Sequence, residues 1–241
     1  MSTLSKIFAP IISLIWRRSC AVCGCDLEDY EEFLCIDCTI RMPRTNFHKL
    51  PNNPMAERLR SLSPAINHAA ALFHFYQKSD WQSFIHSVKY YNGWRSGYLM
   101  GYHYGRELSN EAIYSDIDVV IPVPLHPIRR MKRGYNQSEY IAQGIAKALG
   151  VKLQRHALRR LRNNPSQTKH ATYERWHNVD ALFALNKRLL RGTTHILLVD
   201  DVFTTGATIS SCIETITSTL PDVRISVVTL ALAARQFRFK A

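Results

Sequence analysis

Apolar residues recur along this chain in two rhythms that take turns. From Ala69 to Tyr76 (AAALFHFY) they run almost unbroken, as in a strand buried on both faces, and then Trp81, Phe84, Ile85 and Val88 follow at helical spacing. Asp118 to Val123 (DVVIPV) repeats the strand signal, and after a polar stretch Ile141, Ile145 and Leu149 mark a helix that Gly150 ends. His195 to Val199 (HILLV) predicts another buried strand, a helix follows near Ala207 to Leu220, and Ile225 to Leu232 closes as a strand. Continuous apolar strands alternating with helices predict an α/β fold with a mainly parallel sheet covered on both faces. Between Met42 and Pro64 the pattern lapses into Pro43, Pro51, Asn52, Asn53, Pro54 and Pro64, which predicts an extended linker. The expected division is therefore a small unit over 1–50, a linker over 51–64 and the α/β unit over 65–241.

Composition sharpens this picture. The chain has 241 residues, 46% of them hydrophobic and 21% charged, enough for an ordinary core and unlike a disordered chain. Its net charge is +12, and the stretch from Ile121 to Arg191 alone carries fifteen Lys/Arg against three Asp/Glu. One contiguous segment thus holds the whole excess, which points to polyanionic partners. The longest apolar run, Ile7 to Trp16, is broken by Pro10 and is too short to cross a bilayer. Arg17, Arg18 and Cys20 follow it where a signal peptidase site needs small residues. The run reads as a short helix docked on the protein, and the expected location is the cytoplasm, with peripheral attachment to the inner membrane left open.

Five of the six cysteines lie between Cys20 and Cys38. Cys20-x2-Cys23 and Cys35-x2-Cys38 have the spacing of a tetrahedral Zn²⁺ site, each pair clamping one side of the metal. Cys25 either replaces Cys23 as a ligand or lies beside the metal. Six acidic and no basic residues between Asp26 and Asp37 make this ribbon unlike a nucleic-acid finger, so it reads as structural or as a protein contact. Cys212 reads as a small core residue.

The most informative segment is ILLVDDVFTTGAT, from Ile196 to Thr208. A buried strand delivers Asp200 and Asp201 to its C-terminal end, where open α/β sheets bind ligands. A loop of Thr204, Thr205 and Gly206 then opens a helix at Ala207 and Thr208. Free amides at a helix N-terminus cradle phosphate, Gly206 permits close approach, and the threonine hydroxyls add donors. Two carboxylates beside such a site suit ribose hydroxyls, with a hydrated Mg²⁺ nearby. Neither GxxxxGK[ST] nor GxGxxG occurs.

Two basic blocks accompany this motif. Arg129, Arg130, Lys132 and Arg133 occupy an expected loop between a strand and a helix, where they can neutralise a pyrophosphate. Arg159, Arg160, Arg162 and Lys169 belong to a second block, Arg155 to Arg175, whose polar middle lacks periodicity and suits a mobile flap. Arg130, Lys132, Arg159, Arg160, Arg162 and Lys169 are the candidates for the backbone of a single strand. Tyr135 and Trp176 are candidate stacking platforms.

The DD-x-TTGAT string resembles the signature of the type I phosphoribosyltransferases, which bind 5-phosphoribosyl-1-pyrophosphate (PRPP) with Mg²⁺. That resemblance implies ribose contacts from Asp200 and Asp201 and 5′-phosphate contacts from Thr204, Thr205, Gly206, Ala207 and Thr208, with Arg129 and Arg133 near the pyrophosphate. Over nearly its whole length the chain resembles the ComF (ComFC) competence family. The resemblance rests on IPVPLHPIRRMKRGYNQSEYIA, RNNPSQTKHATYERWHNVDALF, ILLVDDVFTTGAT, ALFHFYQKSDWQSFIHSVKYYNG and the cysteine cluster. It implies a type I phosphoribosyltransferase-like domain behind an N-terminal zinc ribbon holding Cys20, Cys23, Cys35 and Cys38. It also implies a role in handling single-stranded DNA during natural transformation. The resemblance leaves open whether transfer to an acceptor is catalysed. It leaves open equally whether the chain is an adaptor for a DNA-uptake helicase or an inner-membrane channel.

Overall fold

A computed structural model describes residues 18–90, 93–161 and 182–233. Strand β1 (Ile66–Phe75) lies at one edge of a five-stranded sheet, followed in space by β7 (Arg224–Ala233), β6 (His195–Phe203), β2 (Val119–Pro122) and β3 (Lys152–Leu153). All four pairings are parallel. The inner strands β6 and β7 are buried along nearly their whole length, which is why their sequences read as unbroken apolar runs rather than alternating ones.

Helices cover this sheet as the periodicity predicted. α3 (Asp80–Lys89) buries Trp81, Phe84, Ile85 and Val88, and the Ser79 hydroxyl accepts from Gln82 N at its start. α4 (Trp94–Leu108) packs on α6 (Gln137–Leu149), and α6 lies against β2 and β6. Gly150, at φ 71°, ends α6. α7 (Ala207–Thr219) follows β6, with Cys212 in the core.

Three segments depart from expectation. The proposed extended linker is instead folded against β1. Asn53 accepts from the amides of Met55 and Ala56 and donates to Ala69 O, and Pro54 occupies the first turn of α2 (Pro54–Arg60). Asn and Pro there start a helix, whose Met55, Ala56 and Leu59 are fully buried. Upstream, Arg44 bridges Phe73, while Thr45 N donates to Leu72 O and His74 N to Pro43 O, so this stretch runs along the edge strand.

The first basic block is likewise not a loop. Pro127–Arg133 is a helix, α5, opened by the His126 ring accepting from Ile128 N and closed by Gly134 at φ 81°. In the second block Leu158–Arg160 forms β4, paired antiparallel with β5 (Phe183–Leu185). Arg159 and Arg160 therefore sit on a paired strand, and the polar middle of that block, expected as a flap, lies outside the described residues. Arg162, Lys169 and Trp176, and the Ile7–Trp16 run, lie outside the described residues.

Candidate ligand cleft and cysteine knuckle

The parallel sheet brings the C-terminal ends of β1, β2 and β6 together, and a cleft of about 320 Å³ opens there. Asp200 and Asp201 fall within the hydrogen-bonded length of β6, not in the loop beyond it. Thr204 and Thr208 also line the cleft. Thr205, Gly206 and Ala207 complete the turn between them. The Thr205 hydroxyl accepts from Ala207 N at 3.3 Å, and Gly206 has φ 84° with the Phe203 ring where a Cβ would stand. Only glycine fits that turn without strain or a clash.

From α5 come Arg129 and Arg133, and from the start of α6 come Gln137 and Ser138. Asn136 fixes this junction: its side chain accepts from Ser138 N and donates to Val123 O at 3.0 Å. Ser138 Oγ then donates to Asp200 Oδ1 at 2.7 Å, and Gln137 Nε2 to Asp201 Oδ2 at 3.3 Å. Arg133 Nη1 donates to Gln137 Oε1 at 3.1 Å, and its guanidinium lies 5.3 Å above the Tyr90 ring.

Burial, reinforced by the adjacent charge of Asp201, pushes the Asp200 carboxyl up to about 7 against the pull of the Ser138 hydrogen bond. Burial and then the like charge of Arg129 lower the pKa of Arg160, with Asp200 opposing. Arg160 belongs to this wall as well, although the sequence placed it only with the strand-binding cations. Lys89, Arg129, Arg133 and Arg160 stand against Asp200 and Asp201, so the cleft has a net positive charge beside a carboxylate pair. That combination suits a ligand with several phosphate oxygens and neighbouring hydroxyl donors.

Sequence reasoning missed Lys89, Gln137 and Ser138. GYNQS was visible as a motif, but the reach of its side chains depends on how α6 docks. The other expected strand-binding cations separate from this group: Arg130 and Lys132 are exposed on α5, and Arg159 is exposed on β4. Tyr135 is a bracing residue rather than a free stacking face. Its hydroxyl donates to Val88 O at 2.7 Å, and its ring meets Tyr140 edge-on at 5.6 Å.

At the other end of the chain the four thiols of Cys20, Cys23, Cys35 and Cys38 lie within 4.8 Å of one another. Cys20 N donates to Cys25 O at 2.7 Å and Gly24 N to Cys20 O at 2.9 Å, closing the first CxxC turn. Cys35 N donates to Cys20 Sγ at 3.3 Å and Cys38 N to Cys35 Sγ at 3.4 Å, tying the two CxxC turns together. Hydrogen bonds from the Cys25 backbone and thiol hold Cys23 down to about 6. This set fits one tetrahedral Zn²⁺. Cys25 is exposed and stands outside the four. The buried Glu31 carboxylate accepts from Glu28 N and Ile36 N, so one of the acidic residues of the ribbon braces its fold.

Comparison with known proteins finds curated relatives over part of the chain. Competence protein F of Haemophilus influenzae is 31% identical over 97 residues, covering 39% of this chain and 41% of the relative. Competence protein ComFC of Bacillus subtilis is 34% identical over 91 residues, covering 38% and 35% respectively. DNA utilization protein YhgH of Escherichia coli K12 is 32% identical over 93 residues, covering 39% and 40%. The matched segment spans about two fifths of these relatives. No family model matches. Among solved structures, the glutamine PRPP amidotransferase of B. subtilis complexed with ADP and GMP aligns over 54% of this chain and 26% of its own, at 19% identity and a TM-score of 0.36. Among the described residues no helix is long and apolar enough to cross a membrane.

Proposed function

We propose that this chain, which is similar to competence proteins F and ComFC over about two fifths of its length, is a ComF-type protein that handles single-stranded DNA during natural transformation while holding Mg²⁺-complexed PRPP in the cleft at the ends of β2 and β6. The observation that carries the reading is the convergence of Asp200, Asp201, Thr204, Thr208, Arg129, Arg133 and Arg160 around one cavity. The carboxylates accept from the ribose hydroxyls, and the turn ahead of α7 offers amides and threonine hydroxyls to the 5′-phosphate. Arg129 and Arg133 face the pyrophosphate, whose charge the bound Mg²⁺ offsets. Lys89 and Gln137 hold Asp201 in place, and Ser138 holds Asp200.

The names of the relatives support the DNA side of the reading, as does the cationic excess between Ile121 and Arg191. Arg130, Lys132 and Arg159 take the strand backbone, and Arg162 and Lys169 join them. The zinc knuckle is a structural element on this reading.

Isothermal titration of the full chain with Mg²⁺·PRPP tests the pocket. Saturable binding that weakens at least about tenfold in Asp201→Asn is expected, equivalent to losing one charge-assisted contact. A wild-type titration without heat overturns the reading. Single-stranded DNA should bind with an affinity that falls steeply as salt rises, and a salt-independent affinity contradicts the phosphate assignment.

A further inference from the structure

Beside the cleft already described lies a second, of about 250 Å³, against the strand β4. Pro124, Leu125 and Pro127 form an apolar wall, faced by Arg130, Arg155, Arg159 and Arg160. Glu139 is the acidic residue among them: it pairs with Arg155 Nε at 2.9 Å and lies 3.8 Å from Arg130 Nη2. One carboxylate against four guanidiniums leaves the cavity strongly positive. The two clefts share Pro124, Leu125, Asn136 and Arg160. Of these shared residues Arg160 is the charged one, so a single guanidinium stands between two anion-seeking cavities.

The geometry points to a second site, for one nucleotide unit of a single strand, which shares Arg160 with the pentose cleft so that each anionic ligand weakens the other. This inference rests on the reading of the first cleft given above and adds a location, a ligand unit and a coupling to it. The apolar wall suits the flat face of a base, and Arg155 and Arg159 offer guanidinium forks to its phosphate. A cavity below the size range of drug-like pockets takes one such unit, with the rest of the strand following the exposed cations of α5 and β4. One guanidinium cannot fully neutralise two anions, and two phosphates at adjoining sites repel within a Debye length. Linkage makes the penalty reciprocal.

The test uses the full chain at fixed salt, titrated with Mg²⁺·PRPP and with a short 5′-phosphorylated oligothymidylate, each alone and with the other saturating. Each Kd is expected to rise about five- to tenfold in the presence of the other ligand, the size of a typical intersite coupling. The coupling should disappear in Arg160→Gln. In the double variant Arg155→Gln/Arg159→Gln, both positions being exposed, DNA affinity should fall by more than about tenfold while Mg²⁺·PRPP affinity stays within about twofold. Independent or mutually tighter binding in the wild type overturns the shared arginine and leaves the first cleft standing. Undiminished DNA binding in the double variant overturns the second site. Absence of any Mg²⁺·PRPP binding fells the pocket reading and the coupling together, while the double variant still judges the nucleotide site by itself.

Discussion

Lys89 Nζ, on the last turn of α3, lies 3.1 Å from Asp201 Oδ2 on β6. The lysine side chain is 25% exposed and the carboxylate 9%, so this is a largely desolvated pair that ties a helix end to the sheet at the mouth of the cleft. Removing one partner of such a pair leaves the other charge buried and unopposed. Because the lysine keeps partial solvent access, Lys89→Gln should cost about 1–2 kcal/mol at pH 8, read as a lowered urea midpoint. It should also raise the Asp200 pKa further, since Lys89 is among the charges that lower it. An unchanged midpoint at pH 8 contradicts the pairing.

The elevated Asp200 carboxyl makes the ligand-free protein sensitive to pH. Its folded value of about 7 lies above the ordinary 3.8, so the folded state binds this proton more tightly than the unfolded chain does. Its contribution is fully present below the ordinary value, declines as pH rises through the interval up to about 7, and stays lost above it. Asp200→Asn removes the ionised carboxylate and should stabilise the ligand-free protein by about 2 kcal/mol at pH 8, with little effect near pH 4. The same variant should bind Mg²⁺·PRPP poorly. Denaturant unfolding at the two pH values checks this, and equal effects at both contradict the assigned titration.

Ligand affinity should follow the same proton. Ribose hydroxyls donate to an ionised carboxylate, so Mg²⁺·PRPP binding must displace the Asp200 proton below about 7. The affinity is expected to fall by up to about tenfold per pH unit on the acid side of that value and to level off above it. Titration in buffers of different ionisation enthalpy should reveal close to one proton released at pH 6. A flat profile from pH 5.5 to 8.5 rules out Asp200 as the controlling group.

The geometry of the cysteine cluster makes Cys35 and Cys25 differ in their expected metal-binding roles. Cys35 is buried, caps α1 (Ile36–Ile40) through its sulfur and receives the Cys38 amide, whereas Cys25 is exposed beyond the four-thiol group. Cys25→Ser should retain one equivalent of Zn²⁺ and Cys35→Ser should lose it, measured by mercurial release with a metallochromic dye. Loss of metal in Cys25→Ser would instead make Cys25 a ligand.

Long elements were legible because one physical signal dominates each. β6 and β7 are covered on both faces and read as apolar runs, and α6 carries its period and its terminal Gly150. The short helices α2 and α5 were hidden. Asn53-Pro54 and His126-Pro127 with Gly134 are start and stop signals, but few residues lie between them and basic or Pro-rich composition covers any period. The acid pair and threonine turn were legible as a local string. Lys89, Gln137 and Ser138 were not, because their place at the cleft depends on how α3 and α6 dock. Arg160 reaches it through a pairing with Phe183 that no neighbouring residue announces.

That docking of α6 is itself testable through the contact between its Gly144 and α4. A Cβ at Gly144 would run into the carbonyl oxygen of Tyr98 and stand 2.5 Å from Tyr102 N, both backbone atoms of α4. Gly101 on α4 is closed off in the same way by the backbone of Ile141. Two helices meeting through glycines approach more closely than side chains allow, and neither backbone can yield without shifting a whole helix. Gly144→Ala gains helix propensity of under about 1 kcal/mol but overpacks this contact, and a net loss of about 2–4 kcal/mol is expected. Because α6 begins with Gln137 and Ser138, displacement of the helix also moves the donors that hold Asp200 and Asp201. The variant should therefore bind Mg²⁺·PRPP more weakly even at temperatures where it remains folded. Thermal unfolding and titration on the same sample check both effects, and a variant with wild-type stability would show that α4 and α6 do not pack at the distance described.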